Sequence, residues 1–100
     1  MQIASVGRII HVLVDPTKNN GSDVAPAMVV REWGKPYEHE DGLGERQTVN
    51  VRVLCDSQNT LWLTSIQLFD ERPDKETLAQ ARPHHPTGHE AVAFWPPRVA

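Results

Sequence analysis

Apolar and polar residues alternate most regularly between Thr48 and Phe69, in TVNVRVLCDSQNTLWLTSIQLF. Val49, Val51, Val53 and Cys55 alternate with Thr48, Asn50, Arg52 and Leu54. Successive strand side chains point to opposite faces, so this arm predicts one dry face and one mainly wet face. The second arm, Leu61 to Phe69, is richer in apolar residues and carries Trp62, Ile66, Leu68 and Phe69. Between the arms, Asp56-Ser57-Gln58-Asn59-Thr60 is turn chemistry, because short polar side chains bond nearby backbone. A hairpin alone is marginal in water, so other segments must cover its apolar face.

Val6 to Val14 predicts a first strand with apolar residues on both faces, as in a barrel strand with a partly covered exterior. Asp15-Pro16 stops it, and the run from Thr17 to Asp23 reads as a solvated polar loop with Asn-Gly at its tip. Ala27 to Trp33 predicts the second strand, ended by Gly34 and Pro36. A charged excursion from Lys35 to Gln47 leads into the hairpin. Asp74 is a plausible N-cap for a short helix over Lys75 to Arg82, which Pro83 stops. Only Leu78 and alanines offer that helix an apolar face, so a loop is the alternative. Ala91 to Trp95 predicts a final short strand, and Pro96-Pro97 mark its exit. Five short strands with one late helix predict a mainly β fold over residues 1–100 as a single domain. The expected architecture is a small antiparallel five-stranded SH3-like barrel or rolled sheet, in preference to an OB-like one.

Composition narrows the function classes. The formal net charge is −3, and no tight basic run offsets it, which argues against a protein that lives on nucleic-acid phosphate. The longest apolar stretch, Ile9 to Val14, is interrupted by His11 and falls far short of the roughly 20 residues that span a bilayer. The start, MQIASVGR, lacks a signal-peptide pattern, and Cys55 is the single cysteine, so a cytoplasmic protein without a disulfide framework is expected.

Chemistry is sparse. His84, His85 and His89, with Glu90, form the densest group of ligand-type residues, but their spacing matches no standard zinc pattern. Glu38, His39, Glu40 and Asp41 are adjacent in a loop, where ligands seldom converge. Cys55 shares the register of Val49, Val51 and Val53, which predicts a buried structural thiol; His11 is the histidine weighed as its base. Ser57 and Ser65 lack a nucleophile-elbow setting, and Gly42 and Gly44 lack the third glycine and strand-to-helix context of a dinucleotide loop. No catalytic residue, metal site or cofactor is expected. The aromatic residues say more. Three tryptophans are many for this length, and tryptophan is enriched at binding hot spots. Most aromatics are expected in the core, with Trp33, Tyr37, Trp95 and Arg98 as interaction candidates.

Val6-Gly7-Arg8-Ile9-Ile10-His11 at the front and Phe94-Trp95-Pro96-Pro97-Arg98 at the back bracket Ala27-Met28-Val29-Val30 and the strand from Val49 to Val53. In these motifs the chain resembles a group of small uncharacterised β-barrel proteins of actinobacterial phages and their hosts. Members open on a V-G-x-I-V-H-like strand, continue with an A-x-I-V-type strand and close on a tryptophan-proline tail. This chain departs from the pattern at Phe94, where a histidine often stands, and in its longer loop from Lys35 to Gln47. The resemblance implies a β-barrel phage accessory protein and carries over no catalytic residues. The expected role is non-enzymatic: a protein-interaction module that binds a host protein, such as one in growth or division, with homodimerisation open. A virion structural or decoration protein, or a self-assembling structural domain, is the alternative.

Overall fold

The alternation around Val49, Val51 and Val53 does become the central strand, and the other strands are laid against it in turn. The computed structural model describes residues 1–38, 42, 44–58, 60–81 and 92–97, with Gln80 and Ala81 described by backbone alone. Its elements are β1 (Ile9–Leu13), a single 3-10 turn (Pro16–Lys18), β2 (Val24–Glu32), β3 (Tyr37–Glu38), β4 (Glu45–Leu54), β5 (Thr60–Phe69), α1 (Lys75–Ala81) and β6 (Val92–Phe94). Strands β2, β1, β6, β5 and β4 follow one another in a sheet that closes when β2 also pairs with β4. The result is a mainly β, SH3-like closed barrel of five strands with one extra strand and one short helix. The extra strand, β3, pairs with β4 at Glu45 and Arg46, while β2 pairs with it from Val49 to Val53. Because β5 occupies the other side of β4, β3 continues the line of β2 after a kink at Gly34, whose φ of 117° is one that L side chains rarely adopt. Among the described residues, no helix is long and apolar enough to cross a membrane.

Two features depart from the expected layout. The β5–β6 junction is parallel, although every other pairing is antiparallel. The connection that contains α1 carries the chain back along the barrel, so β6 enters in the direction of β5; parallel neighbours need such a long crossover. Strand β2 also begins earlier than Pro26 would suggest. Val24 and Ala25 pair with Leu13 and Val12 on β1, and the β4 ladder starts at Ala27, just past the residue that lacks an N–H.

The barrel has an inner and an outer core. Inward residues such as Ile10, Val12, Ala27, Val29, Val49, Val51, Val53, Ile66, Leu68 and Ala93 fill the interior, and Trp95 closes one end. Leu13, Phe69, Val92 and Phe94 point outward instead, and Val24 and Leu78 of α1 pack against them. Asp74 caps α1, its carboxylate accepting from the Thr77 amide at 2.7 Å. The helix therefore exists to cover one outer flank.

Gln47 completes the interior. It is fully buried, and its amide acts as an extra piece of backbone: Oε1 accepts from Ala4 N (2.8 Å), and Nε2 donates to the carbonyls of Ala4 (3.0 Å) and Gly34 (2.9 Å). One side chain thus ties the N-terminal segment and the β2–β3 kink to β4. Asn19 does the same at the other end. It is buried, donates to Ser22 and Val24 carbonyls (3.0 Å each), and accepts from the Asp56 amide at 2.6 Å. The polar loop after β1, expected to be a solvated connection, is therefore pinned to the β4–β5 hairpin.

Two predictions follow from these bonds. Gln47→Ala strands the buried N–H and carbonyl of Ala4 and releases the part-buried Gly34 carbonyl, and at about 1–3 kcal/mol for each unsatisfied buried group it should cost about 2–4 kcal/mol, read as a lower urea midpoint at unchanged slope. Asp74 has its pKa lowered, chiefly by the Thr77 amide and then by the Thr77 hydroxyl. A carboxylate with a depressed folded-state pKa stabilises the fold above its unfolded value, and that contribution is lost as pH falls through the folded value. The Leu78 amide should therefore lose protection, measured against the unstructured exchange rate at the same pH, below about pH 4, and Asp74→Asn should flatten that dependence.

Candidate interaction surface

Strand parity decides which side chains remain outside. On β1, β2, β4 and β5 the outward set includes Ile9, Met28, Arg52 and Trp62, and the strand registers put them side by side: Ile9 opposite Met28, Met28 opposite Arg52, Arg52 opposite Trp62. This row crosses four strands, about 14 Å at three spacings of about 4.8 Å. Its apolar members are exposed, with Trp62 at 56%. Pro26, Val30 and Leu54 extend the apolar area above and below it. Helix α1 covers the opposite flank; this one carries no element of the described chain.

Trp33 lies on the same face. Its backbone N–H bonds the Thr48 carbonyl at 3.0 Å, its indole Nε1 donates to Asn50 Oδ1 at 2.8 Å, and the Arg31 guanidinium stacks over its ring at 3.9 Å. The ring is half exposed and yet held at one edge by a hydrogen bond and on one face by a cation. Tyr37 sits further along, opposite Arg46. Tyr37, Trp33 and Trp62 therefore follow the outer side of β4 beside Arg46, Asn50 and Arg52.

Asn50 sets this arrangement. It is the one β4 position flanked by an irregularity on both sides. On β2, Val51 faces Val29 and Asn50 faces Arg31, so Val30 is an extra residue. On β5, Val51 faces Leu63 and Val49 faces Ile66, so Thr64 and Ser65 together oppose Asn50. Ser65 adopts a left-handed φ of 53°, and its N–H donates to the same Asn50 Oδ1 at 2.8 Å. One carbonyl oxygen thus holds the Trp33 indole and the β5 bulge. Bulges bend a strand and re-aim its side chains, and here the β5 bulge and the tryptophan that follows β2 share a single acceptor.

The face is electropositive. Among the described residues, its charged side chains between Trp33 and Trp62 are Arg31 and Arg52, and neither has a carboxylate partner. Glu32 faces Val49, on the inward register at the barrel rim.

The other sequence candidates are placed as follows. Trp95 is 8% exposed; its Nε1 donates to the Gln2 carbonyl at 3.0 Å, and Arg8 lies 5.2 Å over its ring, so it serves the barrel end and not the exposed face. Arg98, the His84–His85–His89 group and the acidic run from His39 to Asp41 lie outside the described residues. Among the described residues no group of three or more His, Cys, Asp or Glu is arranged to hold a metal ion. Cys55 is half-buried against the inner core, whereas His11 faces outward with its ring edge-on to Phe94 at 5.7 Å, so the two are on different faces. A broad open groove runs past His11, Arg72, Phe94 and Trp95. Its arginine is committed, with Arg72 Nη2 on Asp23 Oδ2 at 2.8 Å and the guanidinium 5.8 Å over Phe94.

Trp62 is the member of the face that the sequence pattern did not single out. Trp62, Ile66 and Leu68 share even numbers and read as one apolar set, but the extra residue at Thr64–Ser65 turns the strand over between them. The signal that finds Trp62 is the hairpin register: pairing Leu54 with Thr60 across the turn puts Trp62 opposite exposed Arg52. Asn50→Ala, which removes the shared acceptor, should cost about 1–2 kcal/mol and free the Trp33 ring. The Trp33 indole N–H resonance should then move and lose its exchange protection, while Trp62 is unaffected. No known protein-family model matches the chain, and neither does any curated protein or solved structure.

Proposed function

We propose that this barrel is a non-enzymatic interaction module that grips a host protein through the face between Trp33 and Trp62, in the accessory role, within the host cytoplasm, that its phage-like motifs imply. The observation that carries this reading is the exposure of two tryptophans around two unneutralised arginines on a sheet whose backbone is fixed by closure. Tryptophan, arginine and methionine are enriched at interface centres, and exposed apolar area of this extent on one face marks contact sites. A rigid mount supports the same reading, because ordering a floppy surface subtracts from affinity. Trp33 is already held by Asn50 and Arg31, so little is lost when a partner lands on it.

The test is affinity purification of the tagged protein from an actinobacterial lysate, with Trp62→Ala and Trp33→Ala baits in parallel and thermal melts to confirm folding. The expected result is a partner whose recovery falls at least tenfold with Trp62→Ala, the loss of a hot spot worth about 1.4 kcal/mol or more. Retention of the same partner by both variants would remove this face from the function. Recovery of the protein in purified virions, indifferent to Trp62→Ala, would replace the reading with a structural role.

A further inference from the structure

Resting on that interaction reading, we propose that the occupant of the Trp33–Trp62 face is an acidic amphipathic helix of the partner, laid across β1, β2, β4 and β5. Charge is the first argument. The apolar row Ile9, Met28 and Trp62 is interrupted only by Arg52, and Arg31 stands beside Trp33, so the face asks for apolar side chains flanked by carboxylates.

Geometry is the second. Barrel closure gives each of the five strands a partner on both sides over part of its length, and Ile9, Met28, Arg52 and Trp62 are joined strand to strand across the row itself, so what this face offers a partner is its side chains. The row of about 14 Å is wide enough to seat a helix about 10–12 Å across. The fold itself shows the packing: on the opposite flank, α1 lays Leu78 over outward Leu13, Phe69, Val92 and Phe94. The Trp33–Trp62 flank has the same outward apolar character, with no helix over it among the described residues.

The competing occupants fit less well. A second copy of the chain meeting the same face across a two-fold axis would bring a second pair of arginines into the contact and, from the described residues of that face between the two tryptophans, no carboxylate to answer them. Single-stranded nucleic acid would find aromatic rings, but between Trp33 and Trp62 the described residues offer it two cations, Arg31 and Arg52, on a chain of net charge −3.

The experiment is selection of a displayed random peptide library on the wild-type protein, with counter-selection on Trp62→Ala. The expected consensus has apolar residues at helical i, i+3 or i+4 and i+7 spacing with Asp or Glu between them. A synthetic peptide of that consensus should gain helicity on binding and weaken with salt. It should lose at least tenfold in affinity to Arg31→Glu/Arg52→Glu, recovering when the peptide's acids are exchanged for lysines. Arg52→Gln should give a smaller loss in the same direction, which covers the case in which the double variant folds poorly. A Trp62-dependent consensus that is basic, neutral or proline-rich would overturn the acidic helix and leave the interaction reading intact. The same holds for displacement of the peptide by oligothymidine, or for a concentration-dependent dimer lost with Trp62→Ala. Failure to enrich any Trp62-dependent sequence would overturn both.

Discussion

The closure of β2 on β4 is the constraint on which the rest of this barrel depends, and closure is possible because β4 changes step at Asn50 on both of its sides at once. A closed five-stranded sheet must bend sharply, and bending needs somewhere to put an extra residue. Val30 on β2 and Thr64–Ser65 on β5 are those places, and both lie beside Asn50. The Asn50 side chain then stabilises the turn it allows, accepting from the Ser65 amide and from Trp33. Below this point Gln47 repeats the device inside the barrel, standing in for backbone between β4, Ala4 and Gly34. The barrel is thus locked by two side-chain amides on one strand, one facing out and one facing in.

Much of the fold was legible in the sequence. The valine alternation in β4 gives the inward face directly, the polar run after Cys55 gives the hairpin, and Asp74 with the formers behind it gives α1. What escaped the pattern has common physical causes. A bulge leaves no mark in a period-two reading, so Trp62 was grouped with Ile66 and Leu68, from which the extra residue at Thr64–Ser65 separates it. A buried polar side chain looks like a solvated one until its partners are known. Gln47 and Asn19 read as loop chemistry and turned out to be structural bonds between distant segments. The parallel entry of β6 depends on how the chain returns past α1, which strand periodicity does not encode.

The candidate site was half legible. Trp33 and Tyr37, two of the interaction candidates, are exposed on one face, whereas Trp95, a candidate with them, is taken into the barrel end by Gln2 and Arg8. The difference lies in tertiary partners: Trp95 follows a strand buried on both faces, while Trp33 follows the exposed side of β2. Arg31 and Arg52 drew no attention in the sequence, since single arginines in strands are ordinary. Their weight comes from being the charges left among apolar neighbours on one flank.

The double bulge also separates two kinds of sequence freedom. Along β5 the bulge reverses parity, so Trp62 points outward before it while Ile66 and Leu68, also even-numbered, point inward after it, and the exposed face shares no side chain with the interior. Substitutions at Ile9, Met28, Arg52 or Trp62 leave the filled interior volume unchanged, because none of these side chains enters it. Single changes at these surface positions therefore alter what the outer face presents while the packing that sustains the fold stays fixed, so the two sets of residues are free to vary independently of each other.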